Sequence, residues 1–249
     1  MTSIAVLRGR ATKIFQKPHR KQAGFVALTF LLAVVLIPYS PLAADDNLVC
    51  NNTFGPTAIT SGTYGNVVVP PGDNCVMYGK VSVIIIQGNI IVGAGSELHL
   101  FGGVIVAGNL LSSGAQHIAI NQGTVAIANA IRGNVEIRNT ADHIALVSLV
   151  VGGNVEILNT GNYVSLTSLV VGGNAQIQNT EGLVLPTSVP VALALTGNSL
   201  LGNVGIQKVT GGATITQNEV LGNLDCQNIA APLTVATNSV VGDTSGQCV

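Results

Sequence analysis

The sequence predicts an all-β protein, a parallel β-solenoid with coils of about 20 residues, preceded by an N-terminal signal helix. Three observations point there: a composition of turn and strand residues, a repeat with a twenty-residue step, and a segregated basic and apolar N-terminus. Of the 249 residues, 47% are hydrophobic, 8% are charged, 30 are Gly and none is Trp. Surface helices draw on charged, long-chain residues, which this chain scarcely has. Its polarity comes from Asn, Gln, Ser, Thr and Gly, the residues of turns and strand faces.

The first element is the export signal. Arg8, Arg10, Lys13, Lys17, Arg20 and Lys21 precede a run of fifteen uncharged residues from Ala23 to Ile37, which Pro38 and Pro41 then break. Leu42-Ala43-Ala44 follows as the small-residue cleavage site, so residues 1–44 read as a secretory signal peptide cut after Ala44. The competing reading is an uncleaved anchor, the chain's one route to a membrane, although a bilayer-spanning helix needs nearer 20 apolar residues. After Ala44 the chain has four basic residues (Lys80, Arg132, Arg138 and Lys208) against eleven acidic ones, a net charge of −7. Four scattered cations cannot neutralise a phosphate backbone, which argues against nucleic acid as a partner.

Residues 45–64 form an N-terminal cap ahead of the regular repeat. The four cysteines, Cys50, Cys75, Cys226 and Cys248, all follow the signal, as befits a compartment that permits disulfides. Three connectivities are open to four cysteines. The gaps of 25 and 22 residues are each close to one coil, so pairing Cys50 with Cys75 and Cys226 with Cys248 would staple neighbouring coils at each end. The alternative, a metal site, lacks a CxxC or a close His.

The repeat then runs over residues 65–249. Gly133-Asn134-Val135-Glu136-Ile137-Arg138-Asn139-Thr140 returns twenty residues later as Gly153-Asn154-Val155-Glu156-Ile157-Leu158-Asn159-Thr160, and again as Gly173-Asn174-Ala175-Gln176-Ile177-Gln178-Asn179-Thr180. Looser copies begin at Gly65-Asn66, Gly88-Asn89 and Gly108-Asn109, and a variant series at Asn198, Asn218 and Asn238 keeps the same step. Val135-Glu136-Ile137 alternates apolar and polar as a half-buried strand does. One coil buries too little to stand alone, whereas stacked coils lay Val and Ile on Val and Ile. Stacking creates ladders from Asn134, Asn154 and Asn174 and from Asn139, Asn159 and Asn179. The first column is read either as amide-to-amide bonding or as turn geometry alone. At one strand spacing per coil, about nine coils make a rod roughly 43 Å long.

These Gly-Asn-apolar coils and the closing Gly246-Gln247-Cys248 resemble the right-handed parallel β-helix proteins. More narrowly, they resemble an uncharacterised group of secreted bacterial repeat proteins, over roughly residues 60 to 249. The resemblance implies a single-stranded right-handed coil and is silent on activity. Bactofilins, cytoskeletal β-helices that polymerise end to end, are a looser likeness, with a cytoplasmic setting that does not fit this chain.

An irregular insertion interrupts the repeat near 186–203. Leu185 to Val191 keeps phase with the segment twenty residues earlier but carries Pro186 and Pro190 where Leu166 and Val170 stood, and Gly202-Asn203 follows Gly173-Asn174 by 29 residues. Such a bulge is either a binding loop or a neutral insertion.

Candidate chemistry is sparse. Glu136 and Glu156 hold one position in successive coils, near the ~5 Å carboxyl separation of a retaining glycosidase. Gln176 in the next copy and Arg138 on the same face favour a solvated, paired surface instead. His99, His117 and His143 are not spaced as ligands on one coil and read as isolated histidines. The column Thr140, Thr160, Thr180 raises ice binding, but it is a single residue wide. No metal or cofactor is expected. The expected function is a non-enzymatic, extracytoplasmic structural or interaction module at the envelope or outside the cell, with an envelope polymer or protein as partner. The alternative is a polysaccharide-acting enzyme using Glu136 and Glu156.

Overall fold

The computed structural model describes residues 47–50, 57–79, 82–121, 128–182 and 191–249, so the signal segment, residues 1–44, lies outside the described residues. The described chain is an all-β parallel solenoid of about nine turns. Each coil contributes one short strand to each of three parallel sheets, of ten, nine and nine strands. The first sheet runs from Leu48–Val49 to Thr244–Gly246, the second from Thr57–Ile59 to Leu233–Ala236, and the third from Gly62–Tyr64 to Ser239–Val240. Within residues 45–64, set apart by sequence as a cap, Leu48–Val49, Thr57–Ile59 and Gly62–Tyr64 are each the outermost strand of a sheet. No helix among the described residues is long and apolar enough to cross a membrane.

Strand alternation builds the core. Val135, Ile137, Val155 and Ile157 are fully or almost fully buried, and register stacks Val135 on Val155 and Ile137 on Ile157. Ile144, Leu146, Leu149 and Val151 fill the same interior from the other two sheets. All three walls therefore face one continuous apolar column.

The Gly-Asn signature has a specific physical basis. In every coil the Asn side-chain oxygen accepts a hydrogen bond from the backbone N–H of the Asn one coil on. The chain of bonds runs from Asn47 through Asn66, Asn89, Asn109, Asn134, Asn154, Asn174, Asn203 and Asn223 to Asp243. These bonds span 20 residues in the regular coils, against 23, 25 and 29 in the longer ones. The oxygen occupies the space that a Cβ on the following Gly would need: a Cβ on Gly153 would collide with Asn134 Oδ1, and one on Gly173 with Asn154 Oδ1. Glycine is required here for close approach, since none of these turns needs a positive φ.

At Asn134, Asn154 and Asn174 the ladder is thus amide oxygen to backbone, while earlier in the same column the amide-to-amide bonding weighed from sequence is added to it, Asn66 Nδ2 donating to Asn47 Oδ1 at 2.9 Å and Asn109 Nδ2 to Asn89 Oδ1 at 3.1 Å. Amide ladders also form in the second column, where Asn159 Nδ2 donates to Asn139 Oδ1 at 2.9 Å and Asn179 Nδ2 to Asn159 Oδ1 at 2.7 Å. Those residues also take left-handed backbone angles, φ 54–57°, which Asn tolerates better than most residues.

The variant coils carry a third ladder, inside the wall. Asn198 and Asn218 are buried; Asn198 Nδ2 donates to Leu166 O and Asn218 Oδ1, and Asn218 Nδ2 donates to Leu195 O and Asn238 Oδ1. Buried amides are tolerated because each finds partners.

Two disulfides, Cys50 with Cys75 and Cys226 with Cys248, join neighbouring coils at the two ends, as the spacing predicts. At the C-terminal end Gln247 adds a clasp: its Oε1 accepts from Ile229 N–H at 2.6 Å and its Nε2 donates to Ile229 O at 2.9 Å.

Part of the segment read from sequence as irregular, near 186–203, is regular strand. Val164–Thr167 pairs with Leu193–Thr196, and Val170 with Ser199, so residues 193–200 are already back in register. The strand opposite Val164–Thr167 is therefore not the proline-bearing segment, whose residues 183–190 lie outside the described ones. A proline there would have removed a ladder donor.

Candidate functional site

Two outer faces bring chemistry-bearing side chains together. On the first sheet, Glu136 and Glu156 are register partners, and Arg138 lies between them. Its Nη2 is 2.9 Å from Glu156 Oε1 and 3.8 Å from Glu136 Oε2. The guanidinium neutralises both carboxylates on an open, half-exposed surface, where a sugar ring would have to displace it. The face continues through Gln176, Gly205 and Asp225, with no second acid opposed to another.

The second sheet carries the feature that spacing concealed. Glu97 pairs with His117, and the register of Ile118 on Ile144 sets His117 against His143. The ring centroids of His117 and His143 are 3.6 Å apart, and those of His99 and His117 are 4.9 Å apart. The three histidines are therefore one cluster, contrary to the reading of isolated residues. Phe101 stacks on Tyr78 at 4.6 Å and lies 6.1 Å from the His99 ring, which extends the cluster into an aromatic strip.

Carboxylates flank the imidazoles. His99 Nε2 is 3.4 Å from Glu97 Oε2, which Asn74 Nδ2 also contacts at 2.8 Å. His143 Nδ1 is 3.0 Å from Asp142 Oδ2, and Asn162 Nδ2 donates to Asp142 Oδ1 at 3.0 Å. Burial first, then His143 and His99, hold the His117 imidazole below its ordinary pKa, against the opposing pull of Glu97 and Asp142. For Asp142, burial pushes the carboxyl up, but hydrogen bonds from His143 and Asn162 together with the nearby imidazoles leave it below the usual range.

Several side chains expected at the surface lie elsewhere. Thr140, Thr160 and Thr180 are buried with no partner for their hydroxyls, so this column offers no face to ice.

Among known protein families, curated proteins and solved structures, none matches this chain. Of the resemblance drawn from the repeat, the β-solenoid of about nine turns stands on the structure itself. The two disulfide-bonded pairs point to an oxidising compartment.

Proposed function

We propose that the chain is a non-enzymatic extracytoplasmic β-helix, a structural or interaction module at the cell envelope or outside the cell, released by cleavage of residues 1–44. The single observation that carries this reading is the contiguous aromatic strip of Tyr78, Phe101, His99, His117 and His143 on a rod fastened at both ends by disulfides. Half-buried rings on a rigid sheet lose little conformational entropy when covered, which suits recognition of a polymer or a protein. The Glu136, Arg138 and Glu156 group speaks against the polysaccharide-acting alternative, because one guanidinium stands within ion-pair reach of both carboxylates and occupies the space between them.

Binding to isolated envelope polymers and to glycan arrays, alongside hydrolysis assays, tests the proposal. Retention that falls at least tenfold in a Tyr78→Ala, Phe101→Ala double variant is the expected result. Polysaccharide turnover abolished by Glu156→Gln would overturn it.

A further inference from the structure

The histidine face has a property that its role as a contact surface does not require. We propose that His117, His143 and Asp142 bind one divalent transition-metal ion of the zinc, nickel or copper(II) class on the outer face of the second sheet. One possible ligand atom from each of the three lies within 4.8 Å of the others. Ligands about 2.1 Å from a tetrahedral centre stand roughly 3.4 Å apart, so closing the site takes side-chain movements on the order of 1 Å.

Two further observations favour a ligand over simple packing. His117 Nε2 is buried and has no hydrogen-bond partner, whereas buried ring nitrogens ordinarily find one. An ion supplies the missing partner. Asp142 is already oriented from outside the set, its Oδ1 accepting a hydrogen bond from Asn162 Nδ2 at 3.0 Å. A ligand set held by neighbouring hydrogen bonds is the usual arrangement around bound metals.

The donor chemistry sets the class of ion. Two imidazoles and one carboxylate suit borderline cations, whereas calcium and magnesium take shells built of oxygen. Three protein ligands on an open face leave a fourth position to water or to a group on a partner. The site also crosses between coils: His117 belongs to the strand His117–Asn121 and His143 immediately precedes Ile144–Val147. Bound metal therefore ties two turns together in the part of the wall where Asn109 and Asn134 are 25 residues apart.

Calorimetric titration of the metal-stripped, signal-cleaved protein with zinc and nickel chlorides tests the site, with the cobalt(II) absorption spectrum as a second readout. The expected result is one ion per chain and a cobalt spectrum of low coordination number. Affinity should fall at least tenfold in His117→Gln and in His143→Gln, and by a smaller factor in Asp142→Asn. Circular dichroism and melting of each variant without metal separate loss of the site from loss of fold, and a melting temperature raised by zinc only in the wild type agrees with it. No binding of either ion by the wild type, or binding unchanged in a folded His117→Gln, His143→Gln double variant, would overturn the proposal.

Discussion

Thr160 illustrates how one backbone angle redirects a side chain. Alternation carries Val155 inward, Glu156 outward and Ile157 inward, and strict continuation would send Asn159 in and Thr160 out. Asn159 instead takes a left-handed φ of 57°, and the strand closes with Asn159 exposed and Thr160 buried. The extra step shifts the phase by one residue, and it repeats at Asn139 and Asn179. Sequence periodicity cannot register that shift, because Asn also serves in turns of other geometry. Farther along, the same column holds Val209 and Ile229, which pack there without a hydroxyl. Thr160→Val keeps the branched shape and removes a buried, unpaired donor, so it should stabilise the protein by about 1 kcal/mol. Urea unfolding measures it, and a lowered midpoint at unchanged slope would show that the hydroxyl has a partner after all.

At the scale of the coil, the repeat was legible because stacking demands like on like. Val135 sits on Val155 and Ile137 on Ile157, so the period is written in the strands themselves. The histidine cluster was not legible, for coil length varies where the cluster lies. Glu97 and His117 are paired at the ordinary spacing, but residues 122–127 intervene before His143, which spoils the twenty-residue step. The second lengthened coil gives a direct test. A Cβ on Gly182 would stand 2.9 Å from the Cβ of Ala192 and 3.3 Å from its Cα, so the chain enters and leaves the insertion at almost one point. Deleting residues 183–191 joins Gly182 to Ala192 and restores the three-residue connection seen between Thr160 and Val164. The shortened chain should fold with stability within about 1 kcal/mol of the parent, since loop length costs little entropy. A deletion variant that melts more than about 10 °C lower would assign the insertion a structural role.

Across the whole molecule, each coil touches only its neighbours, so stability is a sum of local interfaces and not one global quantity. Terminal coils lack a neighbour on one side. In the last turn Leu233, Val235 and Val240 are only partly buried, whereas the equivalent Ala213, Ile215 and Val220 one coil earlier are buried. The disulfides sit where this deficit is greatest, and each closes a chain segment with a sequence separation of 25 or 22 residues. Chain entropy assigns each bond roughly 3–4 kcal/mol, felt chiefly by the coils it joins. Reduction should therefore release the ends and leave the middle intact. In hydrogen exchange, amides of the last coil and of Val67–Val69 lose protection on reduction, while those of Val155–Thr160 and Val164–Thr167 keep theirs because their neighbours on both sides persist. If the central strands exchanged as fast as the terminal ones after reduction, the coils would be unfolding together, and the disulfides would act on a single cooperative unit instead of two local ends.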